Sequence, residues 1–305
     1  MELLLLSLAV GILLGWRRWL PERVLAWSSK AMTVGVTFLL VTMGIRIGSD
    51  RDTIAMLGSY GLQALVFAVA AVVGSVLVVA VLEHFLVRNQ ALPDNTGLEI
   101  QKSAHPYRLT LIILASFILG IMIGRLVFPL AWREYLPMLT NVALNLTLLA
   151  VGLDLGVNSK VFRQILRLGW RVFLAPLGVI IGSILSAILV GQLFGWTWRE
   201  GAAVGAGFGW YSLSGILITE LHSVALGTVA LLTNVIREIL AILLIPVLAR
   251  RVGQLTLVAP GGATTMDSTL SLIAAAGPPG SALVALVNGV CLSALVPVLV
   301  TLLLS

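Results

Sequence analysis

The sequence predicts an all-α polytopic membrane protein of about eight transmembrane helices with two further segments that are re-entrant or broken. Three observations carry this expectation. First, 59% of the 305 residues are hydrophobic and only 10% charged, with mean hydropathy +1.07. A soluble domain is about 45–50% apolar and about 25% charged, so the excess here has to face lipid. Second, apolar runs recur at about 3–20, 31–48, 59–87, 109–130, 137–156, 168–194, 224–249 and 281–304. Third, 200–219 and 255–277 are apolar overall yet rich in glycine and hydroxyl residues.

Each element has its own justification. Leu3 to Trp16 is apolar, with Arg17 and Arg18 following it. A cleaved secretory signal carries its positive charge first, so this stretch reads as a retained first span, short against the roughly 20 residues a spanning helix needs. The longest polar connection, 88–108, holds Pro93, Asp94, Asn95, Gly97 and Pro106 and reads as a loop. The segment 200–219 contains the run from Gly205 to Gly215, and 255–277 contains Pro260 to Thr269. Unwound backbone at membrane depth is tolerated only where protein or a wet cavity satisfies it, so both segments read as re-entrant hairpins or broken helices.

Charge placement orients the chain. The formal charge is +6, a balance that in a soluble protein would suggest nucleic acid. Here the basic residues lie mostly between apolar runs, which suits the cytoplasmic face of a membrane instead. Eleven of them fall in the loops 17–30, 88–108 and 157–171, against five in the intervening connections. The basic side is expected to be cytoplasmic, which places both termini outside if 200–219 dips in and returns; Arg250 and Arg251 then join the basic side. The single cysteine, Cys291, lies in an apolar run and supports no disulfide framework.

The chain also repeats itself. A shift of 108 residues superposes Leu40 on Leu148, Gly44 on Gly152, Gly48 on Gly156, Gly74 on Gly182 and Ser75 on Ser183. A shift of 109 puts Gly11 and Gly15 on Gly120 and Gly124, and a shift of 51 puts Pro246 on Pro297. Spans 1–3 thus resemble spans 4–6, and three crossings force the copies to face opposite ways. The expected organisation is a scaffold of inverted repeats over 1–196 and a transport unit over 197–305 holding both interrupted segments and two spans. Inverted repeats with paired interrupted segments are the sequence mark of secondary transporters, whose sites lie near the midplane where the interruptions meet.

Charges at membrane depth are costly and therefore functional candidates. Glu238 sits midway along 224–249, with Asn234 one helical turn earlier on the same face. A carboxylate there could exchange a proton near neutral pH. Asp267 lies among Thr264, Thr265, Ser268 and Thr269, a cluster that offers oxygen ligands to an ammonium group or a small cation, or a cap to a half-helix. Arg237 adjoins Glu238 but points elsewhere, to a partner group or a substrate carboxylate. Tyr211, Ser212 and Ser214 could bond a polar solute or satisfy broken backbone, and Asn288 in the last span could bond across helices. Asp154 and Arg46 fall at span ends, and Glu220 and His222 at the solvated mouth of the first interrupted segment.

Other functions lack their residues. His84, His105 and His222 are dispersed and form no metal set. No G-x-x-x-x-G-K-S/T phosphate loop occurs, so ATP is not expected to drive the chain directly, and no nucleophile–base set points to an enzyme. A channel would need rings of polar groups along a continuous pore.

Three stretches are similar to one family: Gly207-Phe208-Gly209-Trp210-Tyr211-Ser212-Leu213-Ser214-Gly215-Ile216-Leu217, then Arg237-Glu238-Ile239-Leu240-Ala241-Ile242, then Gly262-Ala263-Thr264-Thr265-Met266-Asp267. The chain resembles the LysO-type bacterial lysine exporters through these. The resemblance implies export of L-lysine and its thia-analogue across the bacterial inner membrane. It also implies two essential intramembrane carboxylates, matching Glu238 and Asp267, and a likeness to the cation/proton-antiporter superfamily. Where that pattern reads Asn-Asp, this chain has Thr233-Asn234, one carboxylate fewer. No cofactor is expected beyond a coupling ion, a proton or sodium. The expected partners are L-lysine and the lipid bilayer, with a homodimer left open.

Overall fold

The computed structural model describes residues 2–17, 21–49, 54–86, 107–129, 132, 135–157, 170–278 and 280–305. The polar loop at 88–106 and most basic residues of 157–171 lie outside them. No strand occurs among the described residues. Five helices are long and apolar enough to cross a membrane, by length and composition, and three shorter apolar helices join them.

The helices are α1 (Glu2–Arg17), α2 (Glu22–Ser49), α3 (Leu57–Leu86), α4 (Tyr107–Leu126), α5 (Leu136–Val157) and α6 (Leu174–Leu193). The first interrupted segment is α7 (Trp198–Gly205) and α8 (Tyr211–Leu221), followed by α9 (Val224–Leu248). The second is α10 (Gln254–Val258), a 3-10 turn (Gly262–Met266) and α11 (Leu270–Ala276), followed by α12 (Ser281–Leu303). One boundary differs from the expected one: α2 starts at Glu22, inside the stretch read as a basic loop, because a helix can begin on polar residues that hydropathy does not register.

Among the first six helices, α1 packs on α5, α2 on α4, and α3 on α6. Glycines make these approaches close. A Cβ on Gly11 would lie 3.0 Å from the Cα of Gly152, and one on Gly44 would lie 2.9 Å from the Cα of Gly120. Gly15 faces Gly156 in the same order along the chain, so α1 and α5 run parallel. Pairs of glycines four residues apart allow such backbone contact between membrane helices. On α3 and α6, which cross antiparallel, a Cβ on Gly74 would meet the carbonyl of Gly182 at 2.6 Å.

These seams predict a sharp contrast. Gly152→Leu should destabilise the protein by about 1–3 kcal/mol or prevent folding, since the side chain has only backbone to enter. Gly61→Leu should melt like wild type, because open space surrounds that position. Thermal unfolding in detergent reads both, and equal melting temperatures would refute the seam.

The interrupted segments are hairpins. Glu200 near the start of α7 pairs with His222 just past α8 at 3.0 Å, so the segment returns to the end of the bundle where it began. Trp196, just before it, donates to Gln63 near the start of α3 at 2.9 Å. The second hairpin enters beside the other end of the same helix: Glu83 accepts the backbone N–H of Leu255 at 3.1 Å and of Thr256 at 2.9 Å. Gly277, past α11, packs back on Leu257 of α10. Twenty residues of α3 separate Gln63 from Glu83, about 30 Å of helix, so the hairpins enter from opposite ends. Glu220 does not stand in solvent as expected: it pairs with Arg46 at the end of α2, its side chain only 4% exposed.

Candidate functional site

The hairpin tips meet. The N–H of Ala263 donates to the carbonyl of Phe208 at 2.8 Å. This contact demands unusual backbone. Gly209 has φ 96° and Gly262 φ 57°, and a Cβ on Gly262 would strike the Phe208 carbonyl. Phe208 itself, fully buried, sits at φ 47°. A non-glycine residue held there is strained and persists only where its surroundings impose it.

Each tip leans on a spanning helix through an asparagine. Asn234 of α9 accepts the N–H of Gly209 at 2.6 Å and donates to the carbonyl of Ala230 at 2.8 Å and to Ser214 at 3.2 Å. Both ends of a neutral amide are used, which a carboxylate could not match. Asn288 of α12 donates to the carbonyl of Gly262 at 2.8 Å and to Thr265 at 3.1 Å. Thr265 in turn donates to Ala285 across the helix contact at 2.8 Å. Ser214 donates to the carbonyl of Trp210 at 2.8 Å.

Arg237 is equally committed. It is 1% exposed and donates to Ser183 at 2.8 Å, Ser75 at 3.2 Å, and the carbonyls of Pro260 at 3.1 Å and Ala259 at 3.3 Å. Ser183 passes the contact on to the carbonyl of Gly205, the last residue of α7, at 2.8 Å. The C-terminal ends of both entering arms therefore rest on one cation, directly for α10 and through Ser183 for α7, where a helix end is electronegative.

In front of the tips lies a cavity with about 440 Å³ of atom-free space, part of it at its open mouth. Glu238 and Asp267 both line it. Glu238 is 2% exposed, and Asp267 stands exposed on the wall. Tyr211 and Ser212 form one side of the cavity, and Thr264 and Ser268 flank Asp267. Asp267 accepts the N–H of its neighbour Ser268 and caps no helix: Thr269 is the N-cap residue of α11, which has no side-chain cap. The sequence candidates thus divide. Glu238, Asp267, Tyr211, Ser212, Thr264 and Ser268 face the cavity, while Ser214, Asn234, Arg237, Thr265 and Asn288 hold the tips. Sequence reasoning missed Trp210, Met266 and Ser293 as cavity walls and Glu83 as a brace; none carries a signal beyond its residue type.

Residues 5–103 and 114–304 match the family described as Lysine exporter LysO. The chain belongs to the LysO lysine-exporter family. It is 30% identical over 213 residues to the Lysine exporter LysO of Escherichia coli, covering 70% of this chain and 69% of that one. It is also 30% identical over 169 residues to a Putative lysine exporter of Haemophilus influenzae, covering 54% of this chain and 83% of that one. No solved structure matches the chain. The family is one of transporters, consistent with a cavity that holds polar groups and a multi-pass membrane protein that holds the cavity.

Proposed function

We propose that this chain exports L-lysine, and its thia-analogue, across the bacterial inner membrane in exchange for protons. The observation that carries the reading is the pair Glu238 and Asp267 on one cavity where two opposed hairpin tips meet. The names of the relatives supply the substrate. Lysine carries net +1 at neutral pH, and moving it outward against an inside-negative potential costs about 2.3 kcal/mol per 100 mV. One proton inward for one lysine outward removes that cost. Substrate ammonium displaces one proton from the carboxylate pair on the inside, and one proton displaces substrate on the outside.

The architecture suits this exchange. The parallel pairing of α1 with α5, and the matching glycine pairs of α2 and α4, support 1–196 as a scaffold of two inverted repeats, in the manner of the cation/proton antiporters. The region 197–305 then carries the site, with both termini outside by the distribution of basic residues. Hydroxyls beside Asp267 would also suit sodium as the coupling ion or another cationic solute as the substrate.

The test uses purified protein in vesicles loaded with labelled lysine, in sodium-free buffer. An acid exterior should accelerate lysine efflux several-fold over a symmetric pH. Lysine that moves only when sodium is supplied outside overturns the proton coupling. Lysine that does not move while another cation does overturns the substrate.

A further inference from the structure

The cavity holds one more feature, at the start of α8. The first N–H groups of a helix have no partner within it and point back past its N-terminus. Here Tyr211 N–H is taken by the carbonyl of Gly209 at 3.0 Å, and Ser214 N–H reaches Trp210 at 3.0 Å. Between them, the N–H groups of Ser212 and Leu213 find no acceptor among the described residues. Trp210, the N-cap residue, contributes no side-chain bond, and the first turn holds no acidic residue. Buried N–H groups are rarely left unpaired in native structures, so this pair asks for a ligand or water.

A second observation points the same way. Ser212 is 4% exposed, lines the cavity, and its hydroxyl has no hydrogen-bond partner among the described residues. The carbonyls one turn back, Phe208 and Gly209, already accept from Ala263 and Tyr211, so the hydroxyl is left for an occupant of the cavity. Around it, Ser214, Thr264 and Thr265 donate to backbone carbonyls, and the one other unpartnered hydroxyl on the cavity among the described residues is that of Ser268, beside Asp267 on the opposite tip.

We infer that the first turn of α8, with the N–H groups of Ser212 and Leu213 and the Ser212 hydroxyl, binds the α-carboxylate of the transported amino acid. The inference rests on the lysine-export reading above and adds what the site recognises. A helix N-terminus attracts anions through its free N–H groups and its positive end, and half-helices use this for substrate carboxylates in other transporters. Charge matches group for group. Two carboxylates, Glu238 and Asp267, line the cavity, matching the two ammonium groups of lysine, and one electropositive helix end matches its carboxylate. Arg237 lies just behind, its Cδ 3.8 Å from where a Cβ of Gly209 would be, and adds positive potential on that side. A diamine without a carboxylate would leave this third position empty.

Competition against labelled-lysine exchange across proteoliposomes tests this. The competitors are lysine, lysinamide and cadaverine, which keep the ammonium groups and respectively keep, neutralise and lack the carboxylate. In wild type, lysinamide and cadaverine should compete about tenfold or more weakly than lysine, the factor of one lost charge-assisted bond. Ser212→Ala should weaken lysine several-fold and leave cadaverine unchanged. Ser212→Asp puts a fixed anion at the helix start, where it favours the helix, and fills the subsite from within. It should lose lysine recognition while cadaverine now exchanges, which also shows the variant folded. If wild type moves lysine under an acid exterior yet all three compounds compete equally, the subsite is overturned and the export reading stands. If wild type moves no lysine, both fall.

Discussion

Proton-driven lysine efflux is expected to fall to the vesicle leak in Glu238→Gln and in Asp267→Asn, a loss of about 100-fold or more. Each replacement keeps the shape of the side chain and removes only its charge and its proton. A neutral amide can neither release a proton inside nor hold a substrate ammonium, so the exchange has no intermediate to pass through. The magnitude follows from the roughly 3–5 kcal/mol that one missing partner of a desolvated ion pair commonly costs. Neither variant should melt below wild type, because an amide is less costly to bury than a charge. Retention of proton-driven efflux by either variant refutes the role given to that carboxylate.

The same variants divide the labour between the two groups. Lysine–lysine exchange at symmetric pH requires binding but no net proton movement. A variant that still exchanges lysine yet ignores the gradient has lost a proton carrier; one that does neither has lost a substrate ligand. Glu238, on a continuous helix and almost fully enclosed, and Asp267, on the exposed wall of a hairpin tip, differ enough in setting for the outcomes to differ.

Much of this arrangement was legible because lipid is an exacting solvent. The apolar runs coincide with α1 to α6, α9 and α12, of which α3, α5, α6, α9 and α12 are long and apolar enough to cross a membrane and the other three are shorter apolar helices. Glycine and hydroxyl residues marked both hairpins for the same reason, as backbone that leaves a helix at depth needs small residues and local partners. Charge rarity singled out Glu238 and Asp267. The return of each hairpin was not legible: composition serves a broken spanning helix equally well, and the deciding contacts, Glu200 with His222 and Glu83 with Thr256, join residues far apart in sequence. Nor could side-chain direction be read. Asn234 and Ser212 are both polar residues at depth, yet the first is consumed by the Gly209 backbone and the second faces the cavity. Ser75 and Ser183 appeared only as one repeat position, and their shared partner, Arg237, came from outside the repeat.

Arg237 gives the second large effect, and it is one of stability. Its guanidinium joins α3, α6 and the tip of the second hairpin, and through Ser183 the end of α7. Arg237→Met fills much of the same space but supplies no donor, leaving two buried carbonyls and two hydroxyls short of a partner. Breaking a buried charged network of this kind costs about 3–5 kcal/mol. Arg237→Lys should recover only part, because a compact ammonium with three donors cannot span contacts that the planar guanidinium reaches at once. Thermal unfolding in detergent gives the order wild type, Lys, Met. In a double-mutant cycle, Ser75→Ala with Ser183→Ala should cost far less in the Arg237→Met background than in wild type, since the serines would already have lost their partner. The rival role, a direct contact with the substrate carboxylate, makes the opposite forecast: Arg237→Met would melt like wild type, couple to neither serine, and raise the KM for lysine with the KM for cadaverine unmoved. That pattern would transfer carboxylate recognition from the start of α8 to Arg237, so the cycle and the competitor series together decide which group reads the substrate.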